Sequence, residues 1–170
     1  MKKVLFILPS RDFNDLLYLN TRQVLEDRGH EIINVSNEPG ICSGASGTSI
    51  DCGVIESIDS SQIDALVLVG GYGIELLSED PAVIQFVQNV FDQGKIIAAI
   101  ELGPLLLAKA DILGGRIATV LPKQEYVEKL KKSGARISSE TVEVDGNIIT
   151  ATDEQSVQQF ASAIANALEA

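Results

Sequence analysis

Short, wholly apolar runs alternate with amphipathic stretches along most of the chain, and this alternation restricts the fold more than any other feature. Val4-Leu5-Phe6-Ile7-Leu8, Ala65-Leu66-Val67-Leu68-Val69 and Ile96 to Ile100 carry no polar side chain. A membrane helix needs roughly 20 apolar residues, far more than any of these runs. Their length and β-branched content suit strands buried on both faces of a parallel sheet. The stretches between them have helical periodicity. Asp15 to Arg28 places Leu17, Val24 and Leu25 on one face and ends at Gly29. Pro81 to Asp92 puts proline in its first turn and turns Val83, Phe86, Val87, Val90 and Phe91 inward.

The remaining segments extend the pattern. Glu31 to Val35 reads as a strand, and the Gly- and Ser-rich Asn37 to Asp51 as a loop or irregular hairpin. Gly103-Pro104 opens a helix over Leu105 to Ala110, Ile117 to Val120 reads as a strand, and Lys123 to Lys132 as a polar helix. Its alternating charges over Glu125 to Lys132 mark a solvated face. Val142 to Thr150 predicts a hairpin turning at Asp145-Gly146, and Ser156 to Ala170 a last helix packing Val157, Phe160, Ile164 and Leu168. Strands alternating with helices give an α/β class, a mostly parallel central sheet with helices on both faces. No repeat or linker divides the 170 residues, so one domain over 1–170 is expected.

Several function classes are disfavoured. The formal net charge of -11 opposes binding to a nucleic-acid backbone. Met1-Lys2-Lys3 followed by an apolar run imitates a leader, but Pro9-Ser10-Arg11-Asp12 interrupts it at once, so a cytoplasmic protein without a membrane partner is expected. Cys42 and Cys52 are the only cysteines, and with His30 as the single histidine they form no zinc pattern; no metal and no cofactor are expected. Both cysteines are read as free thiols in the Gly/Ser loop. His30, in the helix-to-strand turn Arg28-Gly29-His30-Glu31, is read as structural.

Ligands of an open parallel sheet bind beyond the carboxyl ends of its strands. Two places there stand out: Gly70-Gly71, after a central strand, and Ala98-Ala99-Ile100-Glu101-Leu102-Gly103-Pro104. The second has the shape of a nucleophile elbow, in which a strand delivers one functional residue and a glycine admits the tight turn into a helix. The tip is Glu101, where serine or cysteine is usual.

The stretch Ile97 to Ala110, continuing to Gly115-Arg116, closely resembles the elbow of the ThiJ/PfpI superfamily, which includes the PfpI intracellular proteases and the Parkinson-associated deglycase. Lys3 to Leu8 with Arg28-Gly29-His30-Glu31, Asp64 to Gly71, and Val144 to Thr150 match the same family in order. The resemblance implies a flavodoxin-like three-layer sandwich and a homo-oligomer. It implies backbone oxyanion donors at Gly71 and Leu102, and an acidic residue at Glu75 that the PfpI branch uses across a subunit contact.

The departures fall on the active site. The family usually reads Ala-Ile-Cys-His-Gly, and here Glu101 and Leu102 replace the cysteine and histidine. The loop glutamate that supports the thiol corresponds to Asn14 or Leu17. A Gly-rich segment near the C-terminus is replaced by Thr152-Asp153-Glu154-Gln155-Ser156. The expectation is a non-catalytic, small-molecule-binding or stress-related oligomer, with Gly70, Tyr72, Glu75, Asn14 and Gly103 as pocket-lining candidates. The alternatives are a hydratase- or lyase-like enzyme with Glu101 as acid or base, or residual protease or deglycase activity. Glu101 itself has three readings: a cap on the helix amides, a general acid or base, or a contact for a small cationic or hydrogen-bonding ligand, including a metal or proton shared with Glu75.

Overall fold

The structure is a computed structural model that describes residues 1–170. In chain order the elements are β1 (Lys3–Ile7), β2 (Arg11–Phe13), α1 (Asp15–Asp27), β3 (Glu31–Ser36), β4 (Gly40–Gly44), β5 (Ser49–Val54), β6 (Ala65–Leu68), α2 (Ile74–Ser78), α3 (Pro81–Asp92), β7 (Ile96–Ile100), α4 (Gly103–Lys109), β8 (Ile117–Ala118), α5 (Gln124–Lys132), β9 (Arg136–Ile137), β10 (Val142–Asp145), β11 (Ile148–Ala151) and α6 (Val157–Glu169). Nine strands form one sheet in the order β10-β11-β7-β6-β1-β3-β5-β4-β2, and β8 and β9 form a separate pair. Strands β11, β7, β6, β1, β3 and β5 run parallel; β10 on β11 and β4 on β5 are antiparallel.

The apolar runs lie at the centre because both of their faces are covered. In β1, Leu5 and Ile7 point into one core and Val4 and Phe6 into the other, the two-residue alternation of a pleated strand. The first core is closed by Ile74 and Leu77 of α2, Val83, Phe86, Val87 and Val90 of α3, Leu106 and Leu107 of α4, and Leu130 of α5. The second is closed by Leu17, Tyr18 and Leu25 of α1 and by Val157, Phe160, Ile164 and Leu168 of α6. The result is the expected three-layer α/β sandwich.

The structure corrects the sequence reading in a few places. Of the two readings of Asn37 to Asp51, loop or irregular hairpin, the hairpin holds: the segment contains β4 and the start of β5, antiparallel strands that extend the sheet. Cys42 and Cys52 therefore sit within strands and are buried, and both are free thiols. The strand expected over Ile117 to Val120 stops at Ala118, because the N–H of Thr119 leaves the β9 ladder and donates to Thr150 Oγ1 at 3.0 Å. β2, α2 and β9, of three, five and two residues, are too short to show a hydrophobic period.

Candidate ligand-binding cleft at the strand ends

The site is assembled from the carboxyl ends of β1, β6 and β7. β7 delivers Glu101 in a left-handed conformation, φ 64°, at a cost of about 1–2 kcal/mol for a residue with a Cβ. The fold holds it there from both sides. Glu101 N–H donates to the carbonyl of Ala151 on β11 at 3.0 Å, and its carbonyl accepts from Leu121 N–H at 3.0 Å. Backbone strain kept up by surrounding hydrogen bonds is a feature of functional sites.

The side chain is equally fixed. Oε1 accepts the N–H groups of Gly71 at 2.8 Å and of Leu102 at 3.3 Å. Oε2 accepts from Asn14 Nδ2 at 3.1 Å. The same Nδ2 also donates to Glu154 Oε1 at 3.1 Å. Asn14 is itself immobilised: its Oδ1 caps α1 by accepting Leu17 N–H at 3.0 Å, and its N–H donates to the Gly70 carbonyl at 3.2 Å. Gly70 and Gly71 both have positive φ. A Cβ on Gly70 would lie 2.7 Å from Glu101 Oε1, and one on Gly71 would lie 2.4 Å from the Asp12 carbonyl. Glycine is therefore required at both positions by conformation and by space.

A cleft of about 380 Å³ opens beside Glu101. Asp12, Asn14, Asp15, Leu16, Ala45, Ser46, Gly71, Tyr72, Glu101, Leu102, Leu121 and Glu154 line it. Asp12 also has positive φ, 62°. The wall thus carries four carboxylates and no Lys, Arg or His. Tyr72 stands at the mouth, 72% exposed. Asp15 differs from the other three acids, because it braces the β4–β5 turn by accepting Ser46 N–H at 2.8 Å and Thr48 N–H at 3.0 Å. Burial pushes its pKa up, but these hydrogen bonds outweigh burial and hold it below the ordinary carboxylate value.

Of the residues singled out from sequence, Asn14, Gly71, Tyr72, Glu101 and Leu102 meet at this cleft. Gly70 lies just behind it, as the acceptor for Asn14. Gly103 is buried beneath it, where a Cβ would come within 2.7 Å of the Leu68 carbonyl, so it sets the approach of α4 to β6. Glu75 faces elsewhere, into a groove of about 770 Å³ that also contains Glu79, Lys109, Lys129 and Lys132. Leu17 is buried in the core. No group of three or more His, Cys, Asp or Glu side chains is arranged to hold a metal ion. The sequence reading did not select Asp12, Leu121 or Glu154. Glu154 meets Asn14 across 140 residues of chain, a separation that carries no local signal.

Residues 2–167 match the model of the DJ-1/PfpI family. An uncharacterized protein of Methanocaldococcus jannaschii is 36% identical over 169 residues, covering 98% of this chain and 82% of that protein. Deglycase PfpI of Pyrococcus furiosus is 29% identical over 152 residues, covering 87% of this chain and 88% of the enzyme. Among solved structures, a ThiJ/PfpI domain protein from Brachyspira murdochii superposes with a TM-score of 0.93 at 28% identity, covering 98% of this chain and 96% of that one. No helix is long and apolar enough to cross a membrane.

Proposed function

Since the chain belongs to the DJ-1/PfpI family, we propose that it keeps the family's fold and cleft as a binding site for a small cationic or hydrogen-bond-donating molecule, without thiol chemistry at the elbow. One observation carries this reading: Glu101 Oε1 lies on the N–H groups of both Gly71 and Leu102. Donors of this kind promote acyl or carbonyl chemistry only when they are free to receive the oxygen on which charge develops. Here a carboxylate of the chain itself occupies them, at the position where a cysteine nucleophile would stand. The names of the curated relatives, deglycase among them, describe proteins whose activity is not carried over to this chain.

The ligand class follows from the wall. Asp12, Glu101 and Glu154 bring negative charge to one cleft with no basic side chain to offset it, and the exposed ring of Tyr72 offers a π face to a cation. Titration calorimetry with 1,4-diaminobutane and with succinate, probes of similar length and opposite charge, tests the assignment. The diamine is expected to bind and succinate is not, and Glu154→Gln with Asp12→Asn weakens the diamine. Succinate binding, or a diamine affinity unchanged in the double variant, overturns the reading.

Glu101 as a general acid or base is the second reading, favoured by the open volume beside its carboxylate. It predicts turnover of a bound carbonyl-like compound that Glu101→Gln abolishes while binding is retained. A homo-oligomer is part of the proposal. Leu16 and Leu19, exposed on one face of α1, supply apolar area for such a contact. Sedimentation velocity of Leu16→Ser/Leu19→Ser against the wild type tests it, with dissociation expected in the variant.

A further inference from the structure

The two cysteines lie outside the cleft wall, and nothing in the reading above uses them. They occupy neighbouring antiparallel strands. The β4–β5 register pairs Gly40 with Cys52 and Cys42 with Ile50, so Cys42 and Cys52 are diagonal partners on one face of the hairpin. Both side chains point into the core beneath α1, 1% and 4% exposed. Ser36, buried at the end of β3, is among the groups that act on Cys42. Cys42 and Cys52 are the chain's only cysteines, so each has one intramolecular partner.

The geometry points to Cys42 and Cys52 as a redox-responsive dithiol that a peroxide converts into an intramolecular β4–β5 disulfide. The two sulfurs have different roles. The neighbouring Cys52 thiol brings the Cys42 thiol down to about 7, against the opposing effect of burial and with help from Ser36. The same contact, together with burial, pushes Cys52 up. Cys42 is therefore the thiolate nucleophile and Cys52 the resolving thiol. The other titratable group facing the pair is Tyr18 of α1, held above its ordinary value chiefly by burial; Asp51 of β5 lies on the opposite, exposed face of the hairpin and acts on Cys52 only through its charge.

The chemistry balances with one peroxide. Cys42 Sγ attacks one peroxide oxygen and the O–O bond breaks. The departing hydroxide takes up the proton that Cys42 released and leaves as water, with Cys42 as sulfenic acid. Cys52 Sγ then attacks Cys42 Sγ, the S–O bond breaks, and the second hydroxide leaves as water with the Cys52 proton. Two thiols are oxidised, and one peroxide is reduced to two waters.

The hairpin has the compliance this closure needs. Diagonal strand partners stand roughly 7–8 Å apart at Cα, slightly beyond the roughly 6.8 Å limit of ordinary disulfides, so β4 must shift toward β5. Apart from the Asp15 brace at its turn, β4 is held on its other side only by β2, through Arg11↔Ser43 and Phe13↔Gly44, and glycines occupy positions 40, 44 and 53.

The test exposes the folded, reduced protein to hydrogen peroxide, quenches it in N-ethylmaleimide under denaturing conditions, and reads intact mass and a non-reducing peptide map. The expected product is a monomer two hydrogens lighter, unalkylated, with Cys42 linked to Cys52. Its formation should be about tenfold faster at pH 8 than at pH 6, following the Cys42 thiolate fraction for a pKa of about 7. Cys52→Ser should give Cys42 sulfenic acid trapped by dimedone, and Cys42→Ser should leave Cys52 alkylatable. Overturning results are a wild-type protein whose thiols both stay alkylatable, one in which Cys42 passes to sulfinic acid beside a free Cys52, or one that links only between chains.

Discussion

Glu101 carries the account at the scale of single residues, and its backbone and its side chain make separable predictions. The backbone is strained at φ 64°, while the carboxylate accepts three N–H groups, from Gly71, Leu102 and Asn14. Glu101→Ala keeps the strain and loses the acceptors. Because the cleft admits water to the freed amides, a loss of about 1 kcal/mol is expected, at the low end for an abandoned donor. Glu101→Gly loses the same acceptors and relaxes the backbone, so it should be more stable than Glu101→Ala by about 1 kcal/mol. Urea denaturation of the two variants decides it, and equal stabilities would show that the backbone at Glu101 is unstrained. Gly71→Ala meets the Asp12 carbonyl at 2.4 Å with φ 93°, so it is expected to be the most damaging single change at the cleft, by more than 2 kcal/mol. Glu101 was legible in the sequence because strand, acid and glycine stand next to one another. Asn14 was legible only as one of two registers, and its link to Glu154 joins loops at opposite ends of the chain.

Individual elements are decided by length and by what caps them. Pro81–Asp92 and Ile96–Ile100 form as the sequence predicts, because each is long enough to display its period and is bounded by Asp80-Pro81, Gly94 and Glu101. The β4–β5 hairpin was legible only as one of two alternatives, loop or irregular hairpin, because its strands are rich in Gly and Ser and its turn is fixed from outside, by the Asp15 carboxylate on Ser46 and Thr48 N–H. That brace is pH-dependent, and its sign follows from the direction of the shift. The folded-state pKa of Asp15 is lowered from 3.8, so its stabilisation is complete above the unfolded value and is lost as pH falls through the folded one. The wild type should therefore lose more stability than Asp15→Asn as pH drops below 3.8, and the gap between the two seen at neutral pH should narrow. Parallel urea midpoints over that range check this; a gap that stays constant with pH would mean that Asp15 does not act through its charge.

For the whole molecule, the order of apolar runs specified the layered sheet, because the central parallel strands β1, β6, β7 and β11 are buried on both faces and helices must cover them. The acidic balance bore on the expected partners but located no site: a net charge of -11 is a property of the whole surface, and only the folded chain shows Asp12, Glu101 and Glu154 around one cleft. That field has a consequence for binding. Salt shortens the Debye length from about 30 Å at 0.01 M to about 8 Å at 0.15 M, so diamine affinity should fall across that interval. An affinity independent of salt would point to apolar recognition instead.

With the Glu101 carboxylate on the Gly71 and Leu102 N–H groups, the proposed function leaves no thiol chemistry at the elbow. Methylglyoxal consumption by the wild type, Glu101→Ala and Cys42→Ser/Cys52→Ser tests it most directly. Consumption at the buffer rate is expected for all three. Consumption by the wild type well above buffer that disappears in either variant would contradict it.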